Sequence, residues 1–334
     1  MAALKNIHLL ILLVLGLLQV AAGLCRIVPR NRSVSGVLLV ATRTFTFEIL
    51  LVAYLAYVVL WRSYGIWETL GGASAAGYVL VRAIHGIKSR RRNVDGDGVA
   101  VLSSNLQYSN PAADACVRDL VMHQPDYMVV LEMTDETRKK LDDAMDDYVL
   151  LNRGDGPLGM FAGIWAHERV KDAVESSGVA KVGARGDLLP WVRTKVNGQP
   201  LTLLAVHLTA PDTKKNLASW NQSFADLDEY AQSTPGHLMV AGDFNAVLDH
   251  GGMRHLTRTL RDSASSLGKR HSMTWPTDGY VFKKFLPWPV MGIDHALLSG
   301  NLRVDTYKEY RIHGSDHAAL YLKVSTDARA SAET

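Results

Sequence analysis

Asp243 and Asn245 stand two apart in Val240-Ala241-Gly242-Asp243-Phe244-Asn245-Ala246. The preceding run, Leu238-Met239-Val240, reads as the end of a buried strand, and Gly242 allows a tight turn there. Residues two apart in extended chain point the same way, so the carboxylate and the carboxamide project together past the strand's end. Side by side they suit a phosphate and a hard cation, because both offer oxygen ligands and Asn also donates N–H. Alone, Asp-x-Asn is better read as an Asx turn closing a strand. Five other stretches weigh against that bland reading. Val99–Asn105 is an apolar strand ending in Asn, Tyr127–Glu132 one ending in a carboxylate, and Leu203–His207 one ending in an imidazole. Asp294 opens the apolar stretch through Leu298, and Gly314-Ser315-Asp316-His317 precedes the strand from Ala319 to Val324. Packing alone does not explain six strands with polar residues at their ends.

The elements around these positions alternate in type. Pro111–Gln124 has a helical apolar face of Ala113, Cys116, Val117, Leu120 and Val121. Thr134–Met145 reads as a second helix, with Thr134 or Asp135 as its cap. Phe161–Trp165 and Trp191–Val196 read as strands, the latter pairing with Leu201–Val206 across Asn197-Gly198. Lys214–Gln232 is a helix with Leu217, Trp220, Phe224 and Leu227 inward, and Gly252–Leu267 an irregular one. No internal repeat or long low-complexity tract interrupts the series.

The 334 residues carry a net charge of +3, unevenly placed. Residues 1–97 hold 11 Lys+Arg against 4 Asp+Glu, whereas residues 98–334 hold 25 against 29. A domain tracking long nucleic acid is usually basic, so the mildly acidic second part argues against DNA. The two cysteines, Cys25 and Cys116, define neither a disulfide framework nor a metal cluster.

The basic excess belongs to a strongly apolar first part. Ile7–Leu24 is long enough to cross a bilayer with slight thinning or tilt; a cleaved signal peptide is the alternative, given Ala21-Ala22-Gly23. Gly36–Leu60 is a second candidate, with Phe45–Trp61 as the span and Arg43 near the interface. Gly65–Ile84, rich in Gly and Ala, is a third. Lys88–Arg92 is a basic cluster suited to lipid headgroups. With three spans, Arg26, Arg30, Arg32 and that cluster share a side with the polar-ended strands. The positive-inside rule then predicts a multi-pass membrane protein whose second part is cytoplasmic. The expected organisation is an anchor over 1–92, a linker over 93–98, a catalytic domain over 99–325 and a flexible tail over 326–334.

The order Asn, Glu, His, Asp-x-Asn, Asp, Asp-His across about two thirds of the chain resembles the endonuclease/exonuclease/phosphatase superfamily. The likeness is to its membrane-anchored bacterial members, through Asn105-Leu106-Gln107-Tyr108-Ser109-Asn110, Thr274-Trp275-Pro276 and Gly314-Ser315-Asp316-His317. That resemblance implies a four-layer α/β sandwich, two packed mixed β-sheets flanked by helices. It also implies a metal-dependent hydrolase of phosphoester bonds. Asn105, Glu132 and Asp316 are then the expected metal residues, and an all-oxygen set favours Mg²⁺ or Mn²⁺. His207, Asp243, Asn245, Asp294 and His317 are the expected catalytic residues. His317 is the proton-exchanging group held by Asp294, and His207 takes the position that protonates the leaving oxygen. Leu131 departs from the Gln common in relatives, and His167-Glu168 from their Ser-Arg.

Between Pro276 and Asp294 the aromatic and basic residues around Phe285 and Trp288 suit either a membrane interface or a lid on the domain itself. The expected partners are the lipid bilayer and a phosphoester, lipid or small molecule in preference to nucleic acid; no protein partner is called for. The competing readings are a metal-dependent nuclease and a catalytically inactive membrane interaction protein. The latter requires a broken motif set, which this sequence does not show.

Overall fold

The computed structural model describes residues 2–27, 32–61, 77, 98–108, 110, 112–156, 160–269, 272–277 and 289–326. The expected third span, the basic cluster, and Phe285 and Trp288 lie outside those residues, apart from Gly77.

Two helices fit the expected spans. Helix α1 (Ala2–Ile27) and helix α3 (Arg43–Trp61) are long and apolar enough to cross a membrane, and few residues of either are buried. They run side by side in opposite directions. His8 near the start of α1 accepts from Trp61 at the end of α3 (3.2 Å), while Gln19 donates to Arg43 O (3.0 Å). Between them sits a short helix, α2 (Val34–Ala41), capped by the Ser33 hydroxyl, which accepts from Gly36 N (3.0 Å).

The second part is a sandwich of two six-stranded sheets. Its elements in chain order are β1 (Val99–Asn105), α4 (Ala113–Val121), β2 (Tyr127–Met133), α5 (Asp135–Ala144), β3 (Tyr148–Asp155), β4 (Phe161–His167), β5 (Ser176–Val182), β6 (Asp187–Val196) and β7 (Gln199–His207). Then follow α6 (Lys214–Ser233), β8 (His237–Asp243), α7 (Gly251–Thr259), β9 (Arg261–Asp262), α8 (Ser263–Ser266), β10 (Asp294–Leu298), β11 (Leu302–Arg311) and β12 (Ala318–Thr326). One sheet has the order β11-β12-β1-β2-β4-β3 and the other β5-β6-β7-β8-β10-β9.

Alternation along the central strands divides the core in three. Val101, Val129, Leu203, Ala205, Met239, Ala241, Ala296 and Leu320 fill the space between the sheets. Leu102, Met128 and Val130 face outward under α4 and α5, with Cys116, Val117, Leu120 and Leu141 over them. Leu204, Val206, Leu238 and Val240 face outward on the other sheet, under Trp220, Phe224 and Leu227 of α6. Burying side chains of this size stabilises by roughly 1.5–3 kcal/mol each, so these two outer layers fix the helices firmly. Val37 of α2 belongs to this last cluster: the apolar first part packs on the catalytic sandwich.

The expected helices and hairpin are present; Thr134 caps α5, and Asn197 and Gly198 both take positive φ (48° and 77°) in the β6–β7 turn. The irregular segment expected over 252–267 is α7, the two-residue strand β9 and the single turn α8. Strands β3, β5 and β11 are additional to those read from the sequence.

Candidate active site

The site lies at the ends of three adjacent inner strands of each sheet. Strands β12, β1 and β2 are neighbours in one sheet, and β7, β8 and β10 in the other. In the second sheet Asp243 is in register with both His207 and Asp294. The same parity that turns Ala205, Ala241 and Ala296 into the inter-sheet core turns His207, Asp243 and Asp294 into the gap at its end. Asn105 follows Val101 in the same way.

Glu132 breaks this rule. Met128 and Val130 face outward, so plain alternation would send Glu132 outward too. Instead the β2–β4 register shifts between Val130 and Met133, and Glu132 takes φ 55°. This bulge in left-handed backbone returns the carboxylate to the site. Asn245 also has positive φ (48°). Gly242 is constrained differently: a Cβ there would stand 1.9 Å from Val206 O, so only glycine lets β8 approach β7.

Asn105 is fully buried and joins the two sheets. Its Nδ2 donates to Glu132 Oε1 (2.9 Å) and Asp243 Oδ2 (3.2 Å). Tyr108 N donates to Glu132 Oε2 (2.8 Å), and His207 Nε2 lies 3.3 Å from Glu132 Oε1. Burial pushes the Glu132 carboxyl up, but these donors outweigh it and hold its pKa at about 2. Burial pushes His207 down, yet the hydrogen bond to Glu132 and the charge of Asp243 leave it raised. Asp243, buried and close to Asp294, is pushed up to about 6.

His317 Nδ1 lies 3.1 and 3.0 Å from the two oxygens of Asp294. The carboxylate accepts from Nδ1–H, which fixes the tautomer and leaves Nε2 facing the gap. Nε2 is 3.9 Å from Asp243 Oδ2 and 3.8 Å from Asp316 Oδ1. Burial works against the imidazolium, but Asp294 dominates and raises the pKa of His317 to about 10. Asn245 Nδ2 donates to Leu208 O (2.8 Å), and Asn245 N donates to Asp243 Oδ1 (2.7 Å).

All eight expected residues therefore gather at one end of the sandwich. Two groups of metal-ligand type form among the described residues: Glu132 with His207 and Asp243, and Asp243 with Asp294 and His317. Asp316 lies beside them, its Oδ2 accepting from Trp275 Nε1 (2.9 Å). The oxygen-rich donors, with Glu132 ionised down to acidic pH, fit a hard divalent cation.

Several supporting side chains carried no role in the sequence reading. Thr274 Oγ1 accepts from Ile293 N (3.1 Å) and Asp294 N (3.2 Å), holding the start of β10. Ser315 Oγ donates to Asn105 O (2.6 Å) and accepts from His317 N (3.0 Å). His295 faces away from the site, as strand alternation requires, and bonds Ala246 O (2.8 Å), close to Asp262. His250 reaches Val37 O of α2 (3.0 Å). Leu131 is buried between the sheets, and His167 caps the 3-10 turn Glu168–Ala173. Arg153 pairs with Asp135 (3.2 Å) and Asp155 (3.1 Å).

The gap opens into a cleft of about 710 Å³. Glu132, His207, Asp243, Asn245 and His317 line its floor, and α2 contributes one wall. Arg185 lines it too, its guanidinium donating to Asn216 Oδ1 (2.7 Å).

A model of the Endonuclease/Exonuclease/phosphatase family matches residues 93–317. Among solved structures, the chain is similar to TDP2 of D. rerio complexed with a single strand DNA product (19% identity, TM-score 0.57, 69% of this chain and 100% of that one). It is also similar to the mannosyl-6-phosphatase of Bacteroides thetaiotaomicron (16% identity, TM-score 0.52, 68% and 99%). A third similar structure is the human Nocturnin catalytic domain with bound sulfate (16% identity, TM-score 0.54, 72% and 99%). At these identities the likeness is one of fold. No curated protein sequence matches the chain.

Proposed function

We propose a substrate and a cellular setting for this chain, which belongs to the Endonuclease/Exonuclease/phosphatase family: it hydrolyses a lipid phosphoester, or a headgroup presented by a bilayer, while anchored in that bilayer. Members of the family are metal-dependent phosphoester hydrolases, so the reaction class follows from membership. The observation that carries the rest is the docking of the apolar helices at the site. Asp249, four residues past Asn245, lies 3.0 Å from Arg26 Nε at the end of α1 and 3.1 Å from Arg43 Nη1 at the start of α3. Helix α2, which lies between the two candidate spans in the chain, lines the catalytic cleft.

In this reading Glu132, Asn105 and Asp316 hold the divalent ion, Mg²⁺ or Mn²⁺. When bound, the ion supplies Lewis-acid polarisation of a phosphoryl oxygen. Asp294 keeps Nδ1 of His317 protonated, so Nε2 exchanges a proton at the reacting phosphate, with the attacking water or a phosphoryl oxygen. Asn105 and Asn245 place amide dipoles where charge develops. His207, on the Glu132 side, protonates the leaving oxygen. The acidic balance of residues 98–334 weighs against a nuclease.

The test offers the full-length protein with Mg²⁺ a phospholipid panel, inositol phosphates, and single- and double-stranded DNA in parallel. Hydrolysis of a lipid or headgroup that stops in EDTA is expected. Turnover of DNA alone would replace this reading with the nuclease one.

A further inference from the structure

We infer that α2 is part of the substrate site: it is the wall against which the aliphatic chain of a bilayer-derived phosphoester lies while the phosphate sits on the catalytic floor. This rests on the proposed phosphoesterase reading and adds residues to it that belong to the anchor.

Four residues of α2 line the catalytic cleft: Val34, Val37, Leu38 and Ala41. Their spacing of three, four and seven places them on one helical face. That face is entirely apolar, and it shares the cleft with carboxylates, imidazoles and an amide. A cleft that offers both ionic and hydrocarbon surface matches a ligand that carries both. A sugar phosphate or inositol phosphate has nothing to place against valine and leucine.

The wall is seated on the catalytic domain. Val37 and Val40 are buried, and Val37 belongs to the outer core of the second sheet. His250 bonds Val37 O at 3.0 Å, and Asp249 takes the two arginines that bracket α2. Leu38, by contrast, is 57% exposed although it lines the cleft. A leucine held open beside a charged floor is available for a chain to cover, and the removal of that surface from water favours binding. The occupant's origin follows from the neighbours. The wall lies in the connection between two helices that are long and apolar enough to cross a membrane, so an aliphatic chain reaches it from the bilayer surface.

The experiment measures binding separately from turnover. Full-length protein in amphipol, loaded with Mg²⁺, is titrated calorimetrically with n-alkyl phosphates from methyl to octyl, all monomeric. Each methylene that the wall covers tightens binding by up to roughly fourfold, so the wild type should bind octyl phosphate at least tenfold tighter than methyl phosphate. Leu38→Glu should abolish that dependence on chain length. Ser35→Glu, exposed on the same helix and off the cleft, should keep it. Leu38→Ser provides a second, uncharged variant with the same expected loss, and thermal unfolding checks each fold. Equal chain-length dependence in Leu38→Glu and wild type, or none in wild type, would overturn the inference. Hydrolysis is scored in parallel on n-alkyl p-nitrophenyl phosphates. Absent turnover with the binding pattern intact would sink the proposed reaction and leave the wall standing.

Discussion

Acid should loosen the seat of α2 through His250. Val247 N donates to His250 Nδ1 (3.0 Å), so Nδ1 is an acceptor and the ring's hydrogen is on Nε2, bonded to Val37 O (3.0 Å). Both nitrogens are satisfied only in the neutral ring; protonation puts a second hydrogen against the Val247 N–H. Burial lowers the His250 pKa from 6.5 to about 4, with Asp249 opposing the shift and His295 adding to it. A histidine whose folded pKa is depressed contributes stability that is complete above its unfolded value and is lost as pH falls towards the folded one. The window is therefore pH 6.5 to about 4. Linkage gives a loss of about 2 kcal/mol at pH 5, rising to roughly 3 kcal/mol near pH 4. For a domain of this size, 2 kcal/mol corresponds to roughly 4–8 °C in Tm. His250→Gln keeps a donor for Val37 O and does not titrate, so its Tm should fall less between pH 8 and pH 5. Hydrogen exchange of the α2 amides should quicken over the same window in the wild type alone. Parallel Tm curves for wild type and variant, with unchanged exchange in α2, would refute the tautomer argument.

Glu132→Gln should remove divalent-dependent turnover by a hundredfold or more while leaving Tm nearly unchanged, because the ligand's charge is lost and its shape kept; equal rates in the presence of Mg²⁺ would dismiss Glu132 as a metal residue. Asp294→Asn removes the charge that raises His317, so the limb of the pH–rate profile governed by His317 should move to lower pH with a smaller maximal rate; an unmoved limb would dissociate the pair from the chemistry. Gly242→Ala drives a Cβ to within 1.9 Å of Val206 O and should cost more than roughly 3 kcal/mol, read as a collapse of Tm or of soluble yield. Asp249→Asn leaves Arg26 and Arg43 without their shared carboxylate; all three side chains are partly exposed, so a loss of about 1 kcal/mol, measured by chemical denaturation, is expected rather than unfolding.

The site was legible because its residues sit where an apolar strand stops, and a polar group at that point has no packing reason to be there. Asn105, His207, Asp243 and Asp294 follow directly, since simple parity turns them towards the gap. Glu132 was found by its place at the end of an apolar run, although its parity is wrong. What corrects the parity is a bulge at φ 55°, and no side chain in Val129–Met133 announces it. The sandwich was legible to the same extent. Its central strands are buried on both faces and read as unbroken apolar runs, whereas β3 and β5 are edge strands with mostly half-exposed or exposed residues. Such strands are fixed by the neighbour they pair with, which a local window does not contain.

The role inferred for α2 was hidden for a related reason. Gly36–Leu60 is one apolar stretch by hydropathy, and hydropathy sums over every face of a helix. It does not distinguish a leucine that faces lipid from one that faces a cleft. The distinction is made by contacts between segments some 200 residues apart: Val37 O with His250, Arg43 with Asp249. Those contacts pin α2 as a separate helix beside the site, while α3 beyond Arg43 keeps the length and polarity of a span. A substitution between Val34 and Ala41 would ordinarily be classed as an anchor variant and scored by membrane retention. On the inference drawn for α2 it falls in a different class, one that retains the membrane and changes which phosphoester the cleft prefers.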